Sequence, residues 1–183
     1  MYSLDCIYVS SGHHPKSEKL IKDATNSLYA HAASRVQIEG KPRVIEAVMP
    51  ATHMVSGDHY DNCEVLQIIS LPITEEQRQA VVEKAFELLG KLYGVDDCIE
   101  GGIEDIGNRI QEGLGDAVAD FVHEIIDIPE TFDCSHDQIE LVRAAFPDFA
   151  PDIKDSARVT PEHARILVQG FYEKITKGEI NNG

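Results

Sequence analysis

Ala30-His31-Ala32-Ala33-Ser34-Arg35-Val36-Gln37-Ile38-Glu39-Gly40-Lys41-Pro42-Arg43-Val44-Ile45-Glu46-Ala47-Val48 is the stretch on which the fold turns. Residues 30–38 alternate enough for a strand, Gly40-Lys41-Pro42 turns the chain, and residues 43–48 return as a second strand, so an antiparallel hairpin is expected. The hairpin carries His31 near its entry and Glu46 near its exit. If the pairing register puts the two on one face, an imidazole and a carboxylate meet.

Working outward, Cys6-Ile7-Tyr8-Val9-Ser10 reads as a strand closed by Ser11-Gly12. From Ser17 the positions Leu20, Ile21, Ala24 and Leu28 recur at helical spacing. Val65 to Leu71 is the most apolar strand, expected at the centre of a sheet and ended by Pro72. Thr74-Glu75-Glu76-Gln77 has the form of a capping box, followed by an apolar face of Val81, Val82, Ala85, Phe86, Leu88, Leu89 and Leu92, with Gly94 as the stop. Residues 103–126 keep helical spacing but contain Gly107, Gly113 and Gly115, so one broken helix or two is expected. A further helix opens at Asp133 or Cys134, buries Ile139, Val142 and Phe146, and stops at Pro147. Residues 149–159 read as a loop. Thr160-Pro161-Glu162 then starts the last helix, carrying Ile166, Leu167, Phe171 and Ile175, and residues 178–183 form a frayed tail. The fold class is α+β, an antiparallel sheet packed against helices, in a single domain over residues 1–183 with a helical insert around 94–131.

The chain has 183 residues, 43% of them hydrophobic, enough for one core and unlike a disordered composition. A formal charge of −16 opposes phosphate tracking, which removes nucleic acid as a main partner, and it disfavours anionic lipid as well. No apolar run approaches the ~18 residues of a membrane span, and the N-terminus lacks the pattern of an export signal. Cys6, Cys63, Cys98 and Cys134 form no C-x-x-C pair, so free thiols in a reducing, cytoplasmic setting are expected, with no disulfide framework.

Thr131-Phe132-Asp133-Cys134-Ser135 sets a cysteine just before an amphipathic segment. A thiol at a helix N-terminus faces unpaired N–H groups and the positive end of the dipole, which favour the thiolate. The same amides, that of Cys134 first, are placed to bind an oxyanion. Cys134 is therefore the candidate nucleophile, His31 the candidate base, and Glu46 the group that orients the imidazole and supports its charge. The plain alternatives are a small buried cysteine, a histidine at a strand end and a solvated strand carboxylate; it is the combination that points to chemistry. Cys63, within Asn62-Cys63-Glu64, precedes a strand and reads as structural. His13, His14, His53 and His59 complete no metal-ligand spacing and read as loop or surface residues, so neither metal nor cofactor is expected. His136 reads as first-turn surface or a pocket residue, and Asp133 as an N-cap or a substrate-facing residue.

These residues bring the chain close to a family. Residues 17–27 followed by Tyr29-Ala30-His31-Ala32-Ala33, then Val44-Ile45-Glu46-Ala47, Leu89-Gly90-Lys91-Leu92-Tyr93 and Phe132-Asp133-Cys134-Ser135, resemble in order the motifs of circularly permuted NlpC-like, papain-fold cysteine hydrolases, the YiiX/YebB-like group. The resemblance spans most of residues 5–170 and implies a permuted papain-like fold with Cys134 as nucleophile, His31 as base and Glu46 as polar third member. The chain departs from the family at Ala32 and Ala33, at Leu92 in place of proline, and at His136-Asp137-Gln138-Ile139, where Glu-Leu-Val often follows the Cys-Ser pair. The function so implied is amide cleavage by a peptidase or amidase, cell-wall peptides included, through an acyl-enzyme. A protein without an export signal would meet such material only if released or carried on a virion. The alternatives are an acyltransferase or thioesterase of the same fold, and a binding module whose triad is idle.

Overall fold

The computed structural model describes residues 2–11, 22, 27–48, 51–91, 130–154, 156 and 159–180. The hairpin forms as its sequence requires: β2 (His31–Ile38) pairs antiparallel with β3 (Lys41–Val48), Ile38 opposite Lys41. The two residues between them, Glu39 and Gly40, both have positive φ, 51° and 75°. This is the signature of a tight turn whose twist matches that of the flanking strands. The turn is thus Glu39-Gly40, and Lys41 and Pro42 already belong to β3.

Around the hairpin lies a five-stranded antiparallel sheet with β1 (Tyr2–Ser11), β4 (Ala51–Ser56) and β5 (Glu64–Ile73), in the order β4-β3-β2-β1-β5. Two expectations are corrected here. β4 was not foreseen as a strand, and β5 lies at the sheet edge, not at its centre. The apolar content of β5 serves one face: Ile69, Leu71 and Ile73 are buried, whereas Ile68, just before them, is exposed. An edge also accommodates Pro72, which sits within β5 opposite Ser3 instead of ending it.

Three described helices complete the α+β fold: α1 (Glu75–Leu88), α2 (Glu130–Ala145) and α3 (Pro161–Thr176). α1 has the reciprocal capping box foreseen at Thr74 and Gln77, and α3 has Thr160 as N-cap with Pro161 as its first residue. Phe86, expected on the buried face of α1, is exposed. α2 begins at Glu130, a turn earlier than Asp133 or Cys134, so Asp133 is not its N-cap. The expected helices over 17–28 and 103–126, the insert over 94–131 and the stop at Gly94 lie wholly or largely outside the described residues.

Strand alternation sorts the core into two layers. Leu4, Cys6, Tyr8, Ala32, Val36, Ile45, Ala47 and Leu71 face the helices, where Ile139, Leu141 and Val142 of α2 and Val168 and Phe171 of α3 meet them. The intervening residues Ile7, Val9, Ala33 and Val44 form a smaller cluster with Tyr60 on the opposite face. α2 packs on β2, β3 and α1 and carries Cys134 into the larger core, while the 57–63 segment between β4 and β5 brings Tyr60 to the smaller one.

Candidate active site

The register answers the question the hairpin posed. Ser34 pairs with Ile45, so Ala33 and Glu46, each one residue along its strand, belong to the other face of the sheet, and His31, two residues from Ala33, shares that face. His31 Nε2 lies 3.4 Å from Glu46 Oε2. The other side of the ring serves Cys134, which is hydrogen-bonded to His31. With Nε2 turned to the carboxylate, Nδ1 is the nitrogen left for sulfur. Cys134, His31 and Glu46 are therefore brought together by α2, β2 and β3.

The electrostatics follow from that geometry. Burial opposes the charge on His31, but the Cys134 and Glu46 charges and hydrogen bonds outweigh it and raise the imidazole to about 10. Burial likewise pushes the Glu46 carboxyl up, yet hydrogen bonds from His31 and Tyr60, with the charges of His31 and His59, hold it below its ordinary value. At neutral pH the site contains a carboxylate and an imidazolium beside the sulfur.

Two residues of this cluster were missed from sequence. His59 Nε2 lies 3.2 Å from Glu46 Oε1, and the Tyr60 hydroxyl donates a short hydrogen bond to Glu46 Oε2. His59 was read as a loop histidine and Tyr60 was not singled out. The available signal was their place in Gly57-Asp58-His59-Tyr60, next to a strand that was itself unread.

The position of Cys134 also differs from expectation. As the fifth residue of α2, it lies past the turn where helix amides are unpaired and the dipole acts most strongly. Its own N–H falls in the i to i−4 ladder, so the oxyanion role expected of that amide is withdrawn. The positive group beside the sulfur is His31 instead. The residues following it anchor the helix: Asp137 Oδ2 accepts from Thr52 Oγ1 at 2.7 Å, and Gln138 Nε2 donates to the Ala33 carbonyl at 2.7 Å. Both are buried, and they tie α2 to β4 and β2. His136 is not simple surface; half-buried, its Nδ1 lies 2.7 Å from Ser156 Oγ in the loop before α3.

Cys63 is half-buried beside the smaller core, and His53 is exposed with Nε2 at 3.0 Å from the Val48 carbonyl. His13 and His14 lie outside the described residues. Among the described residues, no three His, Cys, Asp or Glu side chains are grouped to hold a metal ion. No described helix is long and apolar enough to cross a membrane. No protein-family model and no curated protein matches the chain.

Proposed function

We propose that this chain is a thiol hydrolase of permuted papain-like (NlpC-like) fold that cleaves an amide bond with Cys134, His31 and Glu46. The observation that carries the reading is the line of contacts from Glu46 through His31 to Cys134. In the first step the Cys134 thiolate attacks the carbonyl carbon, and the carbonyl π electrons move to oxygen. As the carbon–oxygen double bond re-forms, the carbon–nitrogen bond breaks and the His31 imidazolium gives its proton to the leaving amine. Water then adds to the thioester with neutral His31 taking its proton, and the thiolate departs to leave a carboxylic acid. Glu46 keeps the ring oriented and offsets its charge throughout. Peptide or other amide-bearing molecules are the substrate class, and an amine or alcohol in place of water would make the same intermediate an acyl donor.

One observation favours a second reading, a binding module whose triad is idle: Cys134 is only 1% exposed. A thiol-directed electrophile at neutral pH separates the two. The hydrolase reading expects Cys134 to be labelled well before Cys6, Cys63 and Cys98, and His31→Ala to slow labelling on the order of a hundredfold. Even labelling of all four cysteines removes that reading. Intact-mass capture of an acyl-enzyme then reports the group transferred.

A further inference from the structure

We infer that His59 and Tyr60 are positioning residues for this chemistry, holding Glu46 from the β4–β5 loop so that its Oε2 stays on His31. The inference rests on the hydrolase reading and adds to it the part that keeps the triad in register. A strand glutamate facing one histidine at 3.4 Å has freedom to swing away. Here both oxygens are engaged, Oε1 by His59 and Oε2 by Tyr60 as well as His31. The two loop rings brace each other edge to face, with centroids 5.0 Å apart and planes at 78°, and Tyr60 is buried in the smaller core.

The loop itself is pinned to the sheet. Arg35 Nη1 donates to the Gly57 carbonyl at 3.3 Å while its Nε and Nη2 grip Asp5. Gly57 passes so close to Pro42 that a Cβ there would lie 2.5 Å from the proline Cβ. The loop thus reaches Glu46 from a fixed base, as outer hydrogen bonds orient the ligands of other sites.

The groups around Glu46 are His31 from β2, His53 opposite it on β4, Asp58, His59, Tyr60 and Cys63 of the loop, and, through His31, Cys134 of α2. His53 is turned to the Val48 carbonyl. Glu46 supports the His31 imidazolium, so loosening Glu46 lets His31 give up its proton at lower pH.

The test is the pH titration of the His31 imidazole, followed by its nitrogen-15 resonances in the full chain. Tyr60→Phe keeps the ring and removes the donor, His59→Ala removes the second donor, and His59→Gln restores an N–H. The His31 midpoint, about 10 with Glu46 in place, is expected to move down by about one unit in Tyr60→Phe and in His59→Ala, and to return at least half-way in His59→Gln. Folded variants with the wild-type profile overturn the inference and leave the triad standing. Wild-type labelling that is unselective or independent of His31 overturns both. Nitrogen-15 imidazole spectra of the wild type give a reading free of variant folding: a His59 Nε2 proton shielded by a hydrogen bond supports the clamp, and one exchanging freely with water overturns it.

Discussion

His31 carries the pH dependence of the proposed reaction. The form that donates to a leaving amine is the imidazolium, and Cys134 and Glu46 keep that form in place to about 10 against the effect of burial. A raised value means that the proton is held as pH climbs, so activity persists through neutrality and falls as pH passes about 10. Glu46→Gln removes a charge that favours the imidazolium. The alkaline limb of kcat/KM should move down by about one unit or more, and a limb that stays in place would show that Glu46 does not act through His31. The meeting of Cys134, His31 and Glu46 was legible in the sequence because a cysteine, a histidine and a glutamate in that order are distinctive residue types; the roles of nucleophile, base and orienter belong to the proposed function. His59 and Tyr60 were not, because their role depends on where a loop lands, and local spacing does not encode that.

At the level of elements, the hairpin and the two cap signals could be read because each is a local rule satisfied within a few residues: a turn at Gly40, one residue earlier than Gly40-Lys41-Pro42 suggests, Thr74 with Gln77, and Thr160 with Pro161. Sheet order could not. The continuous apolar run of β5 suggested a central strand, but covering helices bury its apolar side at an edge. Ala51-Thr52-His53-Met54 lacks the alternation of a strand, and its identity comes from pairing with β3 and from Thr52 reaching α2. That reach is testable. Thr52→Val keeps the shape but takes a donor from the buried Asp137 carboxylate, and should cost about 2 kcal/mol in urea unfolding, while Thr52→Ser should stay near wild type. Equal stability of the two variants would show that the hydrogen bond contributes little and that β4 is held by its ladder alone.

For the whole molecule, the formal charge of −16 sets a background that no single pair relieves. The helix-surface pairs Arg78–Glu75, Lys84–Glu87, Arg143–Glu140 and Arg165–Glu162 lie three residues apart near the surface, where screening leaves them weak. Repulsion among the excess carboxylates therefore dominates the salt response. Raising sodium chloride from about 0.01 M to about 0.2 M shortens the screening length and should raise Tm by a few degrees at neutral pH. A fall in Tm would mean that attractive pairs outweigh the net charge.

The proposed triad draws its members from distant parts of the chain. His31 and Glu46 sit on a hairpin whose strands are adjacent in sequence, whereas Cys134 arrives from roughly a hundred residues downstream, a closure opposed by chain entropy until the core rewards it. During synthesis the early hairpin emerges without its sulfur, and a chain that has not docked α2 holds a cysteine without its imidazole. Under the proposed function, catalysis thus arrives only with the final tertiary structure, and a growing or misassembled copy does not catalyse.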